Sequence, residues 1–217
     1  MPSESVENYL KAIYRLSGKK GELVSTNAIA DRLETKASSV TDMLKKLSER
    51  NLLTYTPYKG ALLTESGEQT ALQIIRKHRL WEVFLLEKLN FNWDEVHAMA
   101  EELEHIDSEE LVNRLDDFLG NPKFDPHGDP IPDRNGNIRS HEDLSMADLK
   151  ENNEGVIVGL KETSTDFLKM LENKGLTIGV KVTLKERNEW DRSIQIDTVN
   201  GRVELSVDAA RNIYVTN

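Results

Sequence analysis

The chain has no cysteine. Disulfide frameworks, zinc–thiolate sites and cysteine nucleophiles are all excluded, and the lack of disulfides fits the cytoplasm, which is the expected location. Long apolar runs are also missing. Nothing approaches the roughly 18 consecutive residues that a membrane span requires, so no membrane partner is expected. The start, Met1-Pro2-Ser3-Glu4-Ser5-Val6-Glu7, is acidic and lacks the apolar core of a secretory leader. Catalytic signatures are absent too: no Gly-x-Ser-x-Gly, no phosphate-binding P-loop, no Gly-x-Gly-x-x-Gly after a strand and no His-Glu-x-x-His. A hydrolytic metal site needs an open position and a nearby base. Glu102 could be that base, but no substrate pocket is suggested, and the chain is expected not to be an enzyme.

What is present is charge, unevenly spread. The 217 residues carry a net charge of −10, and a chain of this length accommodates two or three small units. Residues 1–80 sum to +4 and residues 81–217 to −14. Such asymmetry suggests that the first part meets a polyanion and the second meets cations.

The pattern along residues 1–65 is that of a winged helix-turn-helix. A first helix over Ser5–Leu16 keeps Val6, Leu10, Ile13 and Leu16 on one stripe and is ended by Gly18 and Gly21. Ser25 or Thr26 can cap a second helix over Asn27–Leu33. After a short polar turn, a third helix over Ser38–Arg50 is buried through Val40, Leu44 and Leu47. Strand-like runs at 52–55 and 61–64 flank Pro57-Tyr58-Lys59-Gly60, which has turn chemistry. The third helix is then the reader. Ser38, Ser39, Thr41, Asp42, Lys45 and Lys46 lie off its apolar stripe, and Lys36, Arg50 and Lys59 add positive charge for double-stranded DNA.

Residues 66–140 read as a helical domain followed by a proline-rich loop. Ser66–Leu89 is so apolar in its second half that a partner helix from another subunit is expected. Helices over Trp93–Ile106 and Ser108–Leu119 continue it. From Gly120 to about Asn153 the texture is that of a linker or peripheral segment. Residues 141–217 carry five short strand-like runs, one helix over Thr165–Asn173 and a hairpin signal at Asn200-Gly201, which suggests a small SH3-like β-barrel. The fold class is thus mainly α with a β-rich tail.

Four of the five histidines, 78, 97, 105 and 127, fall within fifty residues. If residues 97–105 are helical, His97, Glu101, Glu104 and His105 share one stripe roughly 100° wide. Glu101, Glu104 and His105 can then converge on one ion. His78, Glu82 and His97 offer a second set if the helices at 66–89 and 93–106 pack antiparallel. Carboxylate and imidazole donors without sulfur suit Mn²⁺ or Fe²⁺, and Zn²⁺ or Co²⁺ would also fit. Asp125-Pro-His127 lies in a loop that a metal could order. A metal-dependent enzyme or metal-storage module with an incidental helix-turn-helix is the alternative reading.

Ser5-Val-Glu-Asn-Tyr-Leu-Lys-Ala-Ile-Tyr14, the helix-turn-helix, Arg76-Lys-His-Arg-Leu80, Glu101-x-x-Glu104-His105 and Asp125-Pro-His-Gly-Asp-Pro-Ile-Pro132 together resemble the diphtheria toxin repressor and manganese transport regulator family. The resemblance spans essentially the whole chain. It implies a metal-activated repressor of metal-uptake genes, acting as a homodimer on operator DNA, with a third domain of the FeoA type. It implies a primary site of Glu101, Glu104, His105 and Asn8, an ancillary site of His78, Glu82 and His97, and added ligands at Asp125, His127 and Asp166. Two departures stand out. Iron-type members carry cysteine where this chain has Glu101, which favours manganese. Manganese-type members carry aspartate where it has Asn8 and often glutamate where it has Lys11, which argues against a two-manganese cluster.

Overall fold

The computed structural model describes residues 3–18, 22–138 and 144–216; Gly21 and the expected boundary at 140/141 lie outside them. The chain forms two compact units that are not contiguous in sequence. Unit 1 comprises Met1–His78, Glu101–Asn113 and Pro132–Asn137. Unit 2 comprises Arg79–Ala100, Arg114–Ile131 and Ile138–Asn217.

Unit 1 begins with α1 (Glu4–Ser17), which has acidic residues in its first turn and Arg15 in its last, matching the helix dipole. It ends at Gly18, whose φ of 59° is in the left-handed region. Next come α2 (Thr26–Arg32) and α3 (Ala37–Glu49). Ser25 caps α2 by accepting from the Ala28 amide at 3.1 Å. Leu10, Ile13, Ile29, Val40, Leu44 and Leu47 are buried together from three helices, each such side chain contributing about 1.5–3 kcal/mol of transfer free energy. Strands β1 (Leu53–Thr56) and β2 (Gly60–Leu63) form the wing in register Leu53↔Leu63. Val24 bridges Ala61 on the other side. That bridge demands glycine at Gly60, where φ is 128° and a Cβ would lie 2.4 Å from the Val24 carbonyl oxygen.

The long helix α4 (Glu65–Leu89) passes from unit 1 to unit 2 between His78 and Arg79. Two shorter helices follow, α5 (Val96–Leu103) and α6 (Glu109–Phe118). The expected helix over Trp93–Ile106 is therefore cut at both ends. It starts late, after a turn over residues 93–95 in which the Glu95 carboxylate accepts from the Asn92 amide at 3.0 Å. It stops at Leu103, so Glu104 and His105 sit in the closing turn and not on the helical stripe.

The rest of unit 2 is a six-stranded antiparallel sheet in the order β3-β8-β4-β5-β6-β7. Its strands are β3 (Leu144–Ser145), β4 (Glu154–Leu160), β5 (Lys181–Asn188), β6 (Ser193–Thr198), β7 (Gly201–Ser206) and β8 (Ile213–Thr216). Helix α7 (Thr165–Asn173) has the expected bounds, while α8 (Val207–Ala210) and a 3₁₀ turn at Met146–Asp148 were not expected. Among the described residues β3 and β7 do not pair, so the sheet is open and not closed into the expected barrel. The β6–β7 hairpin pairs Thr198 with Gly201, leaving Val199-Asn200 as its loop. Ile157, Leu168, Leu171, Val182, Leu184, Ile194, Ile196 and Val215 fill the core.

The loop at 121–131 is not a loose linker. Phe124 bridges Pro130, and the Leu160 amide donates to the His127 carbonyl at 3.0 Å, tying the loop to β4. Gly128 permits that contact, since with φ at 87° a Cβ would lie 2.0 Å from the Val158 carbonyl oxygen.

Candidate metal centres

The first cluster belongs to unit 1 and is built from α1, the end of the unit 1 part of α4, the last turn of α5 and the turn after it. Glu104 is fully buried. Its Oε2 lies 2.7 Å from His78 Nδ1, and its Oε1 accepts from the Lys11 ammonium at 2.5 Å. The same ammonium donates to Glu101 Oε2 at 2.7 Å. His105 Nδ1 lies 2.6 Å from Glu7 Oε2, while its Nε2 is 3.8 Å from Glu104 Oε1. A carboxylate that holds one imidazole nitrogen orients the other and raises its basicity as a ligand. Glu7 thus aims His105 Nε2 toward Glu104. The Asn8 Oδ1 is buried and has no hydrogen-bond partner, a costly state for an amide oxygen. These oxygen and nitrogen donors fit a divalent cation of the Mn²⁺ or Fe²⁺ kind, and the orphaned Asn8 oxygen is an acceptor such an ion would satisfy.

The second cluster belongs to unit 2. Ligand atoms of Glu82, Asp125 and His127 lie within 4.8 Å of one another, and all three residues are buried. His97 Nδ1 is 3.0 Å from Glu82 Oε1, and His127 Nδ1 is 3.8 Å from the same oxygen. The other nitrogen of His127, Nε2, is 3.3 Å from the Trp93 carbonyl. A carbonyl only accepts, so Nε2 carries a hydrogen and Nδ1 is the atom turned to Glu82. The Trp93 ring stacks on the His127 ring with centroids 5.6 Å apart, and its indole N–H donates to the Pro126 carbonyl at 2.9 Å. Asp125 Oδ1 accepts from the His127 and Asp129 amides at 2.8 and 2.9 Å. Arg79 Nε lies 3.5 Å from Asp125 Oδ2.

Burial is the main reason that the Asp125 carboxyl is pushed up to about 7, with the neighbouring Glu82 and Asp129 charges adding to it. For His127, burial alone pulls the imidazole down. Glu82, Asp125 and the Trp93 carbonyl outweigh it, and the net direction is up. Both shifts favour the protonated forms in a pocket where a cation would otherwise supply positive charge.

The expected residues are regrouped by the structure. His78 meets Glu104, and Glu82 meets His97, Asp125 and His127. Asp166 is exposed in the first turn of α7 and is not part of the Glu82 cluster. Glu7 was not recognised as a member of the first site, and Lys11 was read only as a departure from the manganese-type pattern. The two lie four residues apart, about one helical turn, with Asn8 between them, and that spacing was the available signal.

On α3 and the wing, Lys36, Ser38, Ser39, Asp42, Lys45, Lys46 and Lys59 are exposed. Thr41 is half-buried and its hydroxyl donates back to the Ala37 carbonyl at 2.9 Å. A groove of about 620 Å³ lies between helix and wing, lined by Asn27, Thr41, Lys45, Tyr55, Tyr58 and Lys59. Tyr58, fully exposed at the wing tip with φ at 65°, was missed as a candidate contact.

Three family models match along the chain. Residues 1–61 match the iron-dependent repressor N-terminal DNA-binding domain, 64–133 its metal-binding and dimerisation domain, and 144–217 the FeoA domain. The diphtheria toxin repressor of Corynebacterium glutamicum is 30% identical over 228 residues, covering 98% of this chain and 96% of that protein. The iron-dependent repressor IdeR of Mycobacterium tuberculosis is 36% identical over 129 residues, which is 59% of this chain and 56% of that relative. A solved manganese-dependent transcriptional repressor in complex with manganese superposes with a TM-score of 0.87 at 32% identity, covering 98% of this chain and 99% of that one.

Proposed function

Because the chain belongs to the diphtheria toxin repressor family of metal-dependent transcriptional repressors, we propose that it represses metal-uptake genes by binding operator DNA as a homodimer when its two clusters hold divalent metal. Manganese is the ion the donor set favours, since Glu101 supplies oxygen where a thiolate would select softer ions. Asn8, Glu101, Glu104 and His105, with His78 beside Glu104, hold the first ion. Glu82, His97, Asp125 and His127 hold the second. The protein acts by binding and not by turnover.

The observation that carries this reading is the carboxylate pair of the first cluster, half-buried Glu101 and fully buried Glu104, which joins α1 to the end of α5 and the turn after it. Helix α1 packs in the same core as the reading helix α3. A bound cation supplies the positive charge that buried Glu104 requires, with Glu101 beside it. Asn8 on α1, Glu101 at the end of α5 and Glu104 and His105 in the turn after it then hold α1 and the helices packed on it in one arrangement. Lys36, Lys45, Lys46 and Lys59 meet phosphates, and Ser38, Ser39 and Asp42 face base edges. Recognition is favoured because less orientational freedom is lost on binding. Dimerisation is supported by the aromatic cluster of Trp81, Phe84 and Phe118, in which Phe118 is 65% exposed, an apolar surface that a partner subunit would cover.

The test is operator binding titrated with Mn²⁺. Glu104→Ala is expected to lose the metal response, at least about a hundredfold in operator affinity at saturating Mn²⁺, while remaining a dimer by sedimentation. Equal binding by both proteins, or equal binding by the unaltered chain in chelator, overturns the proposal.

A further inference from the structure

We propose that Lys11 is a built-in competitor for the first metal ion, a tethered cation that the metal must displace and that sets the concentration at which the site fills. The inference rests on the first cluster being a metal site.

The ammonium lies 2.7 Å from Glu101 Oε2 and 2.5 Å from Glu104 Oε1. It is a buried ion pair, with the two side chains 7% and 0% exposed on the Glu104 side of the contact. The remaining oxygen of Glu104 faces His78 Nδ1 at 2.7 Å. Both Glu104 oxygens are thus engaged, and a cation gains either of them only by displacing a partner. Lys11 is the partner of like charge. An ammonium and a divalent ion cannot share the same two oxygens without repulsion in a poorly solvated site.

Helix α1 supplies the replacement as well as the competitor. Asn8 precedes Lys11 by three residues, so the two share a helix face. Its Oδ1 is buried and unpartnered while Lys11 holds the carboxylates. Beside them a cavity of about 200 Å³, bordered by Asn8, Lys11, Ala12, Arg15, Arg32 and Glu101, gives the lysine head room to withdraw. Filling the site therefore exchanges one link between α1 and the α5 turn for another. The ammonium offsets one of the two carboxylate charges, and a divalent ion offsets both. That difference lets the metal win, and the ammonium makes it win only above a threshold.

Mn²⁺ calorimetry on the full chain tests this, using the heat that Glu104→Ala removes as the signature of the first site. Lys11→Met and Lys11→Gln, both neutral, are expected to tighten that binding by about tenfold or more. Lys11→Arg keeps the charge and is expected to bind no more tightly than the unaltered chain. Thermal unfolding gives a second readout: the neutral variants melt lower in chelator and show a larger rise on adding Mn²⁺. If the neutral variants bind Mn²⁺ no more tightly than the unaltered chain, or if Lys11→Arg binds as tightly as they do, the competition is refuted while the metal site stands. If the unaltered chain gives no heat that Glu104→Ala removes, the site itself is refuted and the competition falls with it.

Discussion

In the first cluster Glu101 and Glu104 are held by an ammonium from α1; in the second, Glu82 and Asp125 are buried beside imidazoles. Both use carboxylates and imidazoles, and neither leaves buried negative charge uncompensated. The first borrows a fixed charge from elsewhere in the chain, so its affinity is written into residue 11. The second favours bound protons, because burial raises Asp125 to about 7 and the surrounding carboxylates raise His127. Its affinity is written into pH. One family of ligands thus yields two different responses, decided by what occupies the pocket before the ion arrives.

The largest effect that would break this contrast is a pH effect. Between 3.8 and about 7 the folded chain keeps an Asp125 proton that the unfolded chain has lost. This group's contribution to stability therefore falls as pH rises through that window. His127, also raised, acts in the same sense: its stabilisation is present below the ordinary imidazole range and fades as pH climbs through the raised value. A divalent ion must expel those protons, so binding strengthens as pH rises. In a Glu104→Ala background, which leaves the second cluster alone, Mn²⁺ affinity is expected to fall about tenfold per pH unit below 7 for each proton the ion expels. The Mn²⁺-induced rise in melting temperature should accordingly be larger at pH 8 than at pH 6. A flat profile would show that the second cluster does not hold protons.

A smaller effect sharpens the first cluster. Glu7 accepts from His105 at 2.6 Å and Lys77 lies 3.7 Å from its other oxygen. Glu7→Gln keeps the shape but removes the charge that orients the ring. Loss of such a supporting carboxylate typically costs about 10–100-fold in metal affinity; because glutamine still accepts a hydrogen bond, the lower end is expected for the first cluster in calorimetry. The second cluster should bind as before. A loss shared by both would mean that Glu7 acts on the whole fold.

The sequence carries some of this plainly and some not at all. The stripe of Val40, Leu44 and Leu47 specifies α3, and Thr165–Asn173 is a helix with the bounds that its periodicity implies. Periodicity does not show where α5 stops. The 3.6-residue pattern runs through Glu104 and His105, but Glu104 is drawn to Lys11 and His78, and His105 to Glu7, contacts separated in sequence by 93, 26 and 98 residues. The proline-rich segment reads as a linker because its composition is that of one. What ties it down is the Asp125 side chain, which accepts two of the loop's own amides, together with the bond from the Leu160 amide on β4 to the His127 carbonyl. Both ligand sets were legible as residue types. Their partition between two pockets, and the two carboxylates that the Lys11 ammonium meets inside one of them, depended on distances that no local pattern encodes.

The smallest expected effect concerns how the second pocket is held. Trp93 touches it in three ways: its carbonyl accepts from His127, its ring stacks on that imidazole, and its indole N–H bonds the Pro126 carbonyl. Trp93→Phe keeps the carbonyl and most of the stacking surface and removes the indole donor. One hydrogen bond of this kind is worth about 0.5–1.5 kcal/mol, so the loop carrying Asp125 and His127 becomes easier to displace. Mn²⁺ affinity at the second cluster is expected to drop about two- to tenfold, with the first cluster unchanged in calorimetry. Because the loop is anchored independently by the Leu160–His127 backbone bond, the variant should still fold. Trp93→Ala, which also removes the stacked ring from a buried core, is expected to lose more stability than affinity, and that ordering separates positioning of His127 from packing of the sheet.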